Sequence, residues 1–106
     1  MSKTIPPIAL LLALVLAPTA FAQDSPADLY KASCAPCHGA NGDANTPAGR
    51  KYKATSFTSA AGLKHSDAEL LQITRKGKGQ MPPWSDVLTD AQLKSVITYI
   101  RMFQKK

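Results

Sequence analysis

An all-α fold of three to five helices is predicted, and three observations carry it. Two capping boxes, Ser66-Asp67-Ala68-Glu69 and Thr89-Asp90-Ala91-Gln92, each set a hydroxyl at a helix entrance with Glu or Gln three residues on. After the second box, Leu93, Val96, Ile97 and Ile100 recur at i, i+3, i+4 and i+7, an apolar stripe along one helical face. No segment alternates with period two for long enough to make a strand.

Each element has its own signal. Ser25-Pro26 opens a first helix, with a side-chain cap followed by proline in the first turn. Leu29 and Tyr30 give it an apolar face, and it should run to about Ala35. Residues 39–62 are rich in Gly, Ala, Asn, Ser and Thr. Gly39, Asn41-Gly42-Asp43, Pro47 and Gly49 mark a loop, with a helical turn near Tyr52. The next helix should span about 67–76, stopped by Gly77. Residues 77–88, which include Gly77, Gly79, Pro82 and Pro83, are read as irregular. The last helix covers about 90–103. No internal repeat is visible.

The first residues read as a targeting segment. Lys3 supplies a positive start, Ile8–Leu16 an apolar run, and Ala20-Phe21-Ala22 the small residues that a signal peptidase reads. Residues 1–22 are therefore expected to be a signal peptide cleaved after Ala22, with one domain at 23–106. An uncleaved anchor is the alternative. The run is shorter than the roughly 18 residues a spanning helix needs, and Pro6, Pro7 and Pro18 flank it.

Cys34-Ala35-Pro36-Cys37-His38 carries the chemistry. Two cysteines with two residues between them and followed at once by histidine form the attachment signature of a c-type haem. The thiols can add to the two vinyl groups, and the histidine then lies under the iron. Other readings are weaker. A redox Cys-x-x-Cys asks for a βαβ setting. A disulfide here closes a very short loop and stabilises little. The spacing of Cys34, Cys37, His38 and His65 fits no common zinc framework. One covalently attached haem c is expected. Bacterial haem of this type is attached outside the cytoplasmic membrane, which agrees with a signal peptide and gives a periplasmic location.

A domain this small buries only roughly 60–65% of its unfolded surface. With both cysteines used on haem, the haem itself must complete the core. The chain has 13 basic and 7 acidic residues, a formal net charge of +6, and cleavage removes Lys3, leaving 12 basic against 7 acidic, or +5. Such a surface suits acidic protein partners or an anionic membrane. No nucleic-acid motif is present.

Three residues compete for the second axial position. Met81 sits in a Gly- and Pro-rich loop between two helices, where the chain can turn its side chain inward. Met102 lies beside the stripe of the last helix and reads as packing. His65 stands at a helix entrance and reads as a solvated residue. Met81 is the expected ligand, opposite His38. A carbonyl in the 39–62 loop is expected to hold the second nitrogen of His38.

The haem-attachment run, the segment Gly77-Lys78-Gly79-Gln80-Met81-Pro82-Pro83-Trp84 and the closing Val96-Ile97-Thr98-Tyr99-Ile100-Arg101 together resemble class I monohaem cytochromes c, closest to small bacterial and c6-like members. The resemblance implies a few helices around one haem, with the first and last crossing near its edge. It implies Cys34 and Cys37 as attachment residues, with His38 and Met81 as iron ligands. It also implies Pro47 as the carbonyl that holds His38, and Tyr30 and Tyr99 at the helix crossing. The family commonly has glycine where this chain has Pro26, so the first helix is expected to start later and cross less closely.

The function expected is periplasmic one-electron shuttling between larger redox proteins. The protein should be a monomer, should have no small-molecule substrate and should not be an enzyme. Lys51, Lys53, Lys76 and Lys78 are candidates to ring an exposed haem edge. Trp84 should shield the haem. The alternatives are a haem subunit of a larger dehydrogenase or oxidase, or a weak peroxidase or small-ligand binder if Met81 is displaced.

Overall fold

Hydroxyl caps start most of the helices. In the computed structural model, which describes residues 3–4 and 24–105, six helical segments follow one another. They are α1 (Pro26–Ser33), α2 (Ala35–His38), α3 (Pro47–Tyr52), α4 (Ala60–Leu63), α5 (Asp67–Lys76) and α6 (Asp90–Gln104). Ser25, Thr46, Ser59, Ser66 and Thr89 each accept a hydrogen bond from the backbone N–H three residues ahead. Each such cap satisfies a donor that the first turn would otherwise leave unpaired.

Both capping boxes close in full. The Thr89 N–H donates to Gln92 Oε1 at 2.8 Å, and the Gln92 N–H donates to Thr89 Oγ1 at 3.1 Å. Gly77 ends α5 at φ 75°, a conformation open to glycine. Two single turns, α2 and α4, take the count past the expected five. Each has only four residues, too short to show hydrophobic periodicity. The first helix starts at Pro26 itself, which corrects the expected later start. Proline is accommodated there because its missing N–H is one the first turn would not use.

The three longer helices make the frame. α6 packs on both α1 and α5. Leu29 and Tyr30 of α1 meet Leu93, Val96 and Ile100 of α6, joined by Phe57 and Leu88. Tyr30 and Val96 are each 1% exposed. Burying side chains of this size stabilises by about 1.5–3 kcal/mol each. The rings of Tyr30 and Tyr99 sit 5.3 Å apart at the crossing, and Phe103 is 5.1 Å from Tyr30. The Tyr30 hydroxyl donates to the Gly39 carbonyl at 2.6 Å, so the crossing also holds the turn after α2.

Arg101 fastens the far end of α6. Its guanidinium reaches Asp67 Oδ1 at 2.8 Å and the His65 carbonyl at 2.6 Å, tying α6 to the entrance of α5. Residues 77–88 are irregular apart from an isolated bridge between Lys78 and Met81, and no longer strand pairing occurs among the described residues. The Trp84 N–H donates to the Thr74 carbonyl at 2.9 Å, which hooks this segment back onto α5. Among the described residues no helix is long and apolar enough to cross a membrane. The signal peptide expected at residues 1–22 lies almost wholly outside the described residues.

Candidate functional site

The attachment run sits on one tight turn. Cys34 caps the end of α1, with its N–H donating to the Tyr30 carbonyl at 2.8 Å. The His38 N–H then donates to the Cys34 carbonyl at 2.9 Å, so α2 winds both thiols and the imidazole onto one short stretch. α3 braces this turn. Thr46 Oγ1 lies 2.7 Å from the Pro36 carbonyl and 3.1 Å from that of Cys37. A Cβ on Gly49 would collide with the Cys37 carbonyl, so only glycine lets α3 come so close.

Met81 comes from a tight loop. Lys78 and Met81 exchange backbone hydrogen bonds at 3.1 and 3.0 Å. A Cβ on Gly77 would lie 2.6 Å from the Met81 carbonyl oxygen, which explains glycine at the head of this loop. The loop brings Met81 to the same cavity that Cys34, Cys37 and His38 line. That cavity measures about 390 Å³, and Phe57, Leu70, Ile73, Trp84 and Ile100 give it apolar walls. Its size falls in the ordinary range for cofactor sites.

The donor chemistry suits an iron porphyrin. Cys34 and Cys37 are not joined in a disulfide, so both sulfurs are available to a covalently held group. Burial, reinforced by the neighbouring Cys37, pushes the Cys34 thiol up to about 11. His38 Nδ1 lies 2.9 Å from the Thr55 carbonyl oxygen and must donate to it. Nε2 is then the nitrogen with a lone pair available. Burial holds the His38 imidazole below its usual range, opposed by the Thr55 bond, so it stays neutral and able to ligate. Two thiols, a neutral imidazole, a thioether and apolar walls are the groups a covalently held haem requires.

Some expectations need correction. The carbonyl at His38 belongs to Thr55, not Pro47. Pro47 stands at the first position of α3, and its carbonyl lies along that helix. Met102 is not packing, being 63% exposed on the outer face of α6. His65 is half-buried rather than solvated. It pairs with Glu69, Nδ1 to Oε2 at 3.0 Å, and lines the rim of the cavity. Of the candidate lysines, Lys53 and Lys78 line the cavity, while Lys51 lies over the Tyr52 ring and Lys76 is exposed at the end of α5. Trp84 does line the cavity. Thr55 and Phe57 were not singled out by sequence. One acts through its backbone and the other is an ordinary apolar residue in a loop, so neither left a signal.

The chain matches a family model described as cytochrome c oxidase, cbb3-type, subunit III, over residues 21–100. It is 36% identical over 90 residues to a cytochrome c6 of Rippkaea orientalis, covering 83% of this chain and 78% of that protein. It is 35% identical over 74 residues to the cbb3-type cytochrome c oxidase subunit CcoP of Azospirillum brasilense, covering 68% of this chain but only 25% of that protein. Among solved structures it is similar to the KustC0563 c-type cytochrome. The TM-score is 0.70 at 28% identity, covering 77% of this chain and all of the other. The helical frame, the thiol-bearing turn and these relatives agree: the chain belongs to the cytochrome c family, as a small class I monohaem member and an electron-transfer protein with covalently bound haem c.

Proposed function

We propose that this protein is an exported one-electron carrier whose haem is fastened at Cys34 and Cys37 and whose iron is held by His38 and Met81. The observation that carries the reading is the shared cavity, to which two separate segments bring these four residues. When bound, the haem supplies a reversible ferrous–ferric couple. The chain's part would be to keep His38 and Met81 in place through that change. Thr55 fixes the tautomer of His38, and the bridged Lys78–Met81 loop holds the thioether. A soft thioether favours the ferrous state and raises the potential relative to two histidines. If His38 and Met81 both hold the iron, no site for a substrate would remain at the metal, which favours transfer over catalysis.

The targeting pattern at residues 1–22 supports export to the periplasm. Lys53 and Lys78, which line the cavity, and the excess of 12 basic over 7 acidic residues left after residues 1–22 support acidic redox partners. A second reading, a haem subunit of a larger oxidase, is favoured by one fact: residues 21–100 match the family model described as cbb3-type oxidase subunit III. Co-purification separates the two, because a subunit brings its partner through a salt wash and a free carrier does not. A reduced-minus-oxidised spectrum with a pyridine haemochrome assay tests the main reading. One low-spin haem c per chain is expected. A high-spin or haem-free product would contradict it.

A further inference from the structure

The Nδ1 hydrogen bond does not by itself set the plane of the His38 ring. Nδ1 lies close to the line that runs from Nε2 across the imidazole. Turning the ring about that line moves Nδ1 less than it moves the ring faces, so the bond to Thr55 bends but survives a modest turn. The same turn sweeps the ring face sideways, and that space is filled by Phe57. The two rings stack, with centroids 4.5 Å apart and planes 18° from parallel. Close packing against a flat face resists the rotation that the hydrogen bond allows.

Phe57 is itself held firmly. It is 7% exposed. Its N–H donates to the Gly42 carbonyl at 2.8 Å. Its carbonyl accepts from Gln104 Nε2 at 3.0 Å, and the same Nε2 lies 3.3 Å from the Gly62 carbonyl. Two glycines let the chain close around it. A Cβ on Gly42 would sit 3.1 Å from Phe57 Cδ2, and one on Gly62 would sit 2.8 Å from Phe57 Cα. Gln104 is the last residue of α6, so the end of the closing helix reaches back to the residue that backs the proximal ring.

We infer that Phe57, anchored by Gln104, is a positioning residue that sets the plane of the His38 ring. The inference rests on His38 being an iron ligand. The plane of an imidazole ligand decides which iron orbital it overlaps. Together with the orientation of the second ligand, it sets where unpaired density in the ferric state spreads over the haem.

The test uses the ferric holoprotein and its proton NMR spectrum. Phe57→Leu keeps an apolar side chain but removes the flat face. The order or spread of the haem-methyl resonances should change, while the far-red methionine–iron band persists. Phe57→Tyr should restore the wild-type pattern, because it restores the face. Gln104→Leu should shift the same resonances in the same sense by less, and it decides the matter if Phe57→Leu yields no holoprotein. A purely structural role would lower the melting temperature and leave the methyl pattern alone. An unchanged pattern in Phe57→Leu, or in Gln104→Leu where that variant decides, overturns the inference. A wild-type protein without the far-red band would instead overturn the ligand reading beneath it.

Discussion

Cys37 shows how much one atom decides here. In the proposed site its sulfur is one of two that would fasten the haem, and it belongs to the four-residue turn that also carries His38. Cys37→Ala leaves a single thioether and should sharply lower the yield of holoprotein. Intact-mass measurement of the exported product reads the fraction that keeps haem, and an undiminished fraction would refute the role. At this scale the sequence was legible wherever side-chain chemistry is distinctive. The cysteines, His38 and Met81 announce themselves by type and spacing. Thr55 does not, because its working atom is a backbone carbonyl that any residue carries. Pro47 stood out by its ring, yet its fixed φ suits it to open α3 instead. The half-burial of His65 was also hidden, since it depends on Arg101 drawing the loop in from 36 residues away.

Among the elements, the entrance to α5 combines a cap with a titratable group. Ser66 Oγ accepts from the Glu69 N–H at 3.1 Å, and Glu69 reaches back to the Ser66 N–H at 3.4 Å. Ser66→Ala should cost about 1 kcal/mol, read as a lower midpoint in urea unfolding of the holoprotein. Hydrogen bonds from His65 first, then from Ser66, hold the Glu69 carboxyl below the ordinary carboxylate value of 4.5. A depressed carboxylate contributes stability that is present above 4.5 and lost as pH falls through its folded value. Glu69→Gln should therefore flatten the acid limb of a stability–pH curve and leave the neutral plateau with only a small drop. An acid limb identical to wild type would argue against the box. α5 and α6 could be read in advance because each pairs a capping box with a long apolar pattern. α4 could not, because Ala60–Leu63 is a single turn whose form depends on Gly62 packing against Phe57.

Taken whole, the molecule is built around a space. The three long helices meet through one cluster of Leu29, Tyr30, Phe57, Leu88, Leu93, Val96 and Ile100, while the cavity separates the cysteine-bearing turn from the Met81 loop. Without haem, the apolar walls formed by Ile73 and Trp84 would face water. A chain of this size has little surplus stability to meet that cost. The Cys34→Ala/Cys37→Ala double variant, purified without haem, should lose most of its far-UV helical signal. A native-like helical spectrum would show that the protein frame suffices alone. The all-α class and the ordering of the long helices were readable from periodicity and caps. The way the 39–62 segment folds back to Thr55 and Phe57 was not, since that path follows long-range contacts with α6 rather than local preference.

The central claim is that His38 and Met81 close the two axial faces of one attached haem. The weak far-red band of the ferric protein, recorded for the wild type and for Met81→Ala, tests it most directly. The band should be present in the first and absent in the second, with the midpoint potential falling in the variant. A band and a potential that survive the substitution would place the second ligand elsewhere and contradict the account.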